Sequence, residues 1–203
     1  MKRKSLKTYL RDRRGVAAIE FALGTVVMVS TSLLALDLYR LASTQITITH
    51  VAVSLADTVS RAEPPGLTEA QLRQQMDDFV LSLSELLHEE QFPTSNANFV
   101  VAAVYKDPNP TTSLTALWRK EKVLLPDTTS PLTSCAAANQ TNEITLETNP
   151  VALPAGFTMA DREIVIVAEV CVERTGTAFP GPAYAHYIVP SRDDNLASRL
   201  GAP

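Results

Sequence analysis

"RDRRGVAAIEFALGTVVMVSTSLLALD", Arg11 to Asp37, decides how this chain is to be read. Within it, the 21 residues from Val16 to Leu36 carry a single charge, Glu20. As a helix rising about 1.5 Å per residue, such a run spans roughly 30 Å, the thickness of a bilayer's hydrocarbon core. In front of it, the leader up to Gly15 holds seven basic residues against Asp12 alone, a net charge of +6. Everything after Gly15 has 11 basic and 21 acidic residues, so the modest overall charge of -4 conceals a basic head and an acidic body.

Basic residues ahead of an apolar span favour an N-in, C-out orientation. The acidic body argues against nucleic acid as a partner, because phosphates would be repelled. A cleavable secretory signal would have an apolar region of about 7 to 15 residues ending in a small-x-small site. After Ser32 the chain reads Leu33-Leu34-Ala35-Leu36-Asp37, with no such site, so a retained anchor is expected. At 203 residues there is room for that anchor and one modest domain.

Asp37 to Arg61 contains no Gly or Pro, and one helix is expected from about Val16 to Ala62. Leu34, Leu38, Leu41, Gln45, Ile48, Ala52, Leu55, Val59 and Ala62 recur at alternating steps of four and three, a stripe that calls for a partner helix or a domain to lie on. The chain's own domain and neighbouring subunits are equally good candidates. The β-branched stretch "STQITITHVAV", Ser43 to Val53, could suit a strand. The stripe runs through it, and helix is preferred.

"EPPG", Glu63 to Gly66, ends this helix, and Thr68 with Gln71 has the form of a capping box opening a second helix over 67–91. Its apolar face comprises Leu72, Met76, Phe79, Val80, Leu83, Leu86 and Leu87, while Asp77-Asp78 and Glu89-Glu90 are read as solvated. Strand-like segments follow at about 98–105, 113–123, 162–173 and 185–189. In the third, Ile164, Ile166, Ala168, Val170 and Val172 share one face. The other runs from Val165 and Val167 to Glu169, Cys171 and Glu173, as expected of an antiparallel sheet with one face on a helix and one partly wet.

Cys135 and Cys171 are the only cysteines and both fall after the span. Their even number favours a disulfide over a metal site, and a bridge of this loop length would contribute roughly 3 to 4 kcal/mol. Two buried free thiols are the alternative. His50, His88 and His186 lie far apart without metal-ligand spacing, and no phosphate loop, nucleophile elbow or Cys-x-x-Cys is present. No metal or cofactor is expected, and an enzyme is the poorer hypothesis.

An acid inside a bilayer costs up to about 3 kcal/mol even on lenient scales, which makes Glu20 a functional candidate. Its register is distinctive: a basic leader ending in Gly15, a small apolar start at Val16, and the acid at the fifth residue from there. "RRGVAAIEFAL" resembles the class III signal of type IV pilins, most closely the TadE/TadF-type minor pseudopilins of the tight-adherence (Tad/Flp) pilus. The resemblance covers roughly residues 11 to 45.

It implies cleavage by a prepilin peptidase between Gly15 and Val16, and a role for Glu20 in setting helix register during assembly. Independently of any family, such a cut removes the +6 leader and creates an amine about one turn from Glu20, whose carboxylate can neutralise it. The resemblance does not separate the E and F types.

The expected fold is α+β and type IV pilin-like: a basic leader (1–15), a transmembrane helix (16–36), its periplasmic continuation (37–62), and a periplasmic domain (63–203) with a packed second helix and a small antiparallel sheet. The expected role is a non-catalytic minor pseudopilin of the bacterial inner membrane, with pilins of the same system and a prepilin peptidase as partners, acting in pilus assembly or at the tip in adhesion. The leading stripe residues for partner contact are Leu34, Leu38, Leu41, Ile48, Leu55 and Val59. The alternative is an unprocessed single-pass protein with a periplasmic binding domain.

Overall fold

The computed structural model describes residues 13–61, 67–92, 95–108, 114–125, 153, 157–174, 181–192 and 195–202. Two compact units divide between Ala42 and Ser43. Helix α1, Arg13–Arg61, runs through the division and is 49 residues long. It starts before Val16, so Gly15 lies within the helix. Ala62 and the "EPPG" break lie outside the described residues.

The second unit is α+β. It contains the last turns of α1, helix α2 (Glu69–Gln91), strands β1 (Ala97–Tyr105), β2 (Thr115–Leu124), β3 (Ile164–Arg174) and β4 (Gly181–Pro190), and a short helix α3 (Leu196–Arg199). The strands form one antiparallel sheet in the order β2-β1-β3-β4. The unit begins at Ser43 and not at residue 63, because α1 itself supplies Ile48, Val51, Ala52, Leu55, Ala56 and Val59 to the core.

Helix α2 opens on the capping box: the Thr68 hydroxyl accepts from the Gln71 backbone N–H, and the Gln71 side chain accepts from the Thr68 N–H. Its buried positions are Leu72, Met76, Val80, Ser84 and His88, every fourth residue. Leu86, expected on the apolar face, is exposed: it stands two positions from Ser84, about 200° round the helix and away from that seam. The seam ends where His88 Nε2 meets the Ser95 carbonyl oxygen at 2.7 Å.

The two faces of the sheet are packed to different extents. On one, Phe99, Val101, Trp118, Ile166, Val170 and Val172 pack against α1, α2, Leu196 and Leu200. On the other, Val100, Ala102, Val104, Val165 and Val167 form a second cluster with Met159, flanked by Leu114, Leu153 and Ile188. As expected, that face is partly wet: Leu153 and Met159, in the connection leading into β3, cover its apolar half, while Val123 and His186 are exposed and Glu121, Glu173 and Tyr184 half-buried. Glu169 is only 5% exposed.

A ladder of polar ties runs between α2 and β2. Asp77 accepts from Trp118 Nε1 and from Lys120 Nζ, both at 2.8 Å, and Glu85 accepts from Lys122 Nζ at 2.6 Å. At the start of the ladder, β1 and β2 shift register between Ala103 and Val104, leaving Leu117 as the extra residue. Its carbonyl accepts from Arg73 Nη1 at 2.7 Å, while Arg73 Nη2 reaches the Leu200 carbonyl at 2.7 Å.

The outer edge of β4 is shielded. Ser191 N–H donates to the Ile164 carbonyl, so odd-numbered β4 residues bond β3 and even-numbered ones face outward. Among the latter, Pro182 and Pro190 have no N–H, and the Tyr184 carbonyl accepts from Gln45 Nε2 at 2.8 Å.

Candidate functional site: the exposed length of the first helix

From Val16 onward α1 is long and apolar enough to cross a membrane, a property shared by membrane spans and signal sequences near an N-terminus. None of its most apolar window is buried. Phe21, Leu23, Val26, Val27, Met28, Leu33 and Leu36 all lie exposed. Water would be a poor medium for such a surface.

The polar residues within the run are satisfied by the helix itself. The hydroxyls of Thr25, Ser30 and Ser32 donate to the carbonyls of Phe21, Val26 and Met28 at 2.8 Å, and Thr31 donates to Val27 and Met28 at 3.0 Å. Such back-bonding keeps a hydroxyl tolerable in an apolar medium, where an unpartnered donor costs several kcal/mol. Glu20 is different in kind, an exposed carboxylate on the same helix. Val16 is also exposed.

The stripe read from the sequence changes character along its length. Ile48, Ala52, Leu55 and Val59 are buried to 1% exposure or less, Leu41 is half-buried, and Leu34 and Leu38 are 47% and 49% exposed. The lower stripe is thus core of the second unit. The upper stripe is uncovered. Gln45 serves neither purpose and shields β4 instead.

A second polar grouping lies on the sheet face away from the helices. Glu121 and Glu169 flank Val100, with His186 opposite Glu169, while Cys171 and Tyr184 lie in the next row beside Asn98. Asn98 Nδ2 donates to Glu121, which also pairs with Arg119 at 2.9 Å, and Asn96 Nδ2 donates to Glu173. Burial, followed by the nearby Glu169 carboxylate, pushes the Tyr184 phenol well above its ordinary range. Tyr184 and His186 rings stand 6.0 Å apart.

Cys171 is disulfide-bonded, and Cys135 lies outside the described residues. Among the described residues no group of histidine, cysteine and carboxylate side chains could hold a metal ion. His50 is exposed, and His88 is the buried packing residue described above. Sequence reasoning placed Asp77 in solvent. The structure makes it the joint acceptor of Trp118 and Lys120, and the one available signal was a lone tryptophan in a charged strand, which needs a partner for its indole N–H.

Compared with known proteins, the chain matches no family model, no curated relative and no solved structure.

Proposed function

We propose that the chain is a non-catalytic, membrane-anchored minor pseudopilin of the Tad/Flp type, cut by a prepilin peptidase between Gly15 and Val16 and acting with other pilins in assembly or at the tip of an adhesive pilus. The observation that carries the reading is the exposed Glu20 in an otherwise apolar run, five residues into the helix counted from Val16 and directly after a +6 leader. The uncovered Leu34 and Leu38 add to it. They continue a stripe that lower down is an intramolecular seam, and so offer the same surface to another helix.

In this reading the periplasmic unit is carried on α1, the leader is lost on maturation, and Glu20 neutralises the new Val16 amine in its own chain or in a neighbour. The acidic body keeps the unit away from nucleic acid. The second reading is an unprocessed single-pass inner-membrane protein with a periplasmic binding domain, favoured by the same apolar helix with no appeal to the leader.

Intact mass and N-terminal sequencing of the membrane-extracted protein, with and without the system's prepilin peptidase, separates the two. A peptidase-dependent start at Val16 is the expected result. A full-length chain in both samples would sink the pseudopilin reading and leave the plain anchor.

A further inference from the structure

Of the sheet's two outer strands, β4 carries prolines and a tied carbonyl on its edge, and β2 has no proline. Glu173 of β3 donates its N–H to the Asn96 carbonyl, so odd-numbered residues of β3 bond even-numbered residues of β1. The odd-numbered residues of β1 therefore bond β2, where they meet Trp118, Lys120, Lys122 and Leu124. Glu121 and Val123 are left with N–H and C=O turned outward, and no hydrogen bond joins those groups to another described residue.

An open edge is ordinarily guarded by proline, by a bulge or by lysine. The bulge of β2 lies at Leu117, before this stretch. Lys120 and Lys122 stand on the helix-covered face and are paired with Asp77 and Glu85 of α2, away from the edge. Val123 is 42% exposed, and Leu125 just beyond it is 39% exposed.

Outward N–H and C=O groups that repeat every second residue are met by an extended chain, whose side chains alternate between the two faces of the sheet. On the α2 face, Glu85 is exposed even while bonded to Lys122. Asp78, seven residues earlier and so about 20° round the helix, is exposed without an ion pair among the described residues. These two carboxylates favour lysine or arginine on that face of an incoming strand.

A second copy of the chain fits less well. Joining β2 to β2 would place Asp78 and Glu85 of both copies on the same side of one sheet, acid facing acid, in a body with 21 acidic and 11 basic residues.

We propose that the outer edge of β2 receives an extended segment of another protein, paired to the backbone of Glu121 and Val123, with basic side chains toward α2 and apolar ones beside Val123. The proposal rests neither on leader cleavage nor on the pseudopilin reading.

The probe is a fluorescein-labelled peptide of alternating lysine and valine, about ten residues long to match a strand. It is titrated by anisotropy against the full-length protein in detergent, with binding to empty micelles subtracted. Saturable binding that protects the Glu121 and Val123 amides from hydrogen exchange is expected. Methylating the valine nitrogens, which would face β2, or replacing lysine by glutamate is expected to weaken binding about tenfold or more. Val123→Pro removes an outward N–H and no ladder bond, and is expected to weaken binding similarly while the melting temperature holds.

Absence of binding, or binding that the methylated or glutamate peptide reproduces within about twofold, overturns the proposal. Undiminished binding to a folded Val123→Pro protein overturns it as well. Protection of the two amides that rises with protein concentration in the absence of peptide would assign the edge to a second copy, and the proposed partner would be wrong.

Discussion

Arg73 ties three elements together: its guanidinium donates to Glu69 on its own helix, to the bulged Leu117 of β2 and to the Leu200 carbonyl after α3. Two of these acceptors are backbone groups that would lose a charged donor, so Arg73→Ala is expected to cost about 1 to 3 kcal/mol in urea unfolding, the Glu69 pair contributing least because it is exposed.

Asp77→Ala strands the Trp118 indole and Lys120 together, whereas Asp77→Asn leaves an oxygen for Trp118 and is expected to lose less in the same measurement. Tyr184 makes a pH prediction. Its phenol has a raised pKa in the folded state, so the folded protein holds the proton more tightly. That contribution is complete below the unfolded value of about 10 and is lost as pH rises above it. Tyr184→Phe is expected to remove part of the alkaline loss of stability seen in unfolding curves between neutral pH and pH values above 10. An unchanged alkaline slope would mean that Tyr184 stays paired or solvated in both states.

At the scale of elements, α1 carries two fates on one stripe. Leu55→Ala opens a cavity in the core and is expected to cost about 2 to 5 kcal/mol. Leu38→Ala, on the uncovered part, is expected to leave the melting temperature of the second unit unchanged and, on the proposed pseudopilin reading, to reduce co-purification of pilins in pull-downs from membranes. The helices themselves were legible from local rules: Thr68 and Gln71 announce α2, and the absence of Gly and Pro announces the continuity of α1 into the domain.

The point at which the stripe passes from exposed to buried was not legible, since Leu, Ile and Ala continue through it without change of type. Nor were the α2 to β2 ties, because pairing Asp77 with Lys120 requires knowing that β2 lies beneath α2. The cover over the apolar half of the sheet's second face was hidden for a similar reason. Val165 and Val167 show from the strand alone that this half is apolar, and only Leu153 and Met159 from elsewhere in the chain show what lies on it.

For the whole molecule, the core of the second unit, among the described residues, takes its first contribution from α1 at Ile48. A chain starting at Ser43 is therefore expected to fold without detergent and to unfold in a single cooperative transition by circular dichroism. Failure to do so would mean that the exposed part of α1 supports the unit in a way its burial does not reveal. The α+β character and the long apolar helix followed from the sequence pattern. Of the candidate site only the residues followed, because residue type does not tell an uncovered length of apolar helix from a covered one.

The shielded edge of β4 bears on a different hazard. On the proposed membrane-anchored reading the protein is confined to two dimensions, where local crowding brings neighbouring sheets into frequent collision. A foreign strand approaching β4 finds prolines at both ends with no hydrogen to offer and a carbonyl already occupied by Gln45. Strand addition on that side is thereby confined to the short stretch between the two prolines, which works against growth of an assembly through that edge.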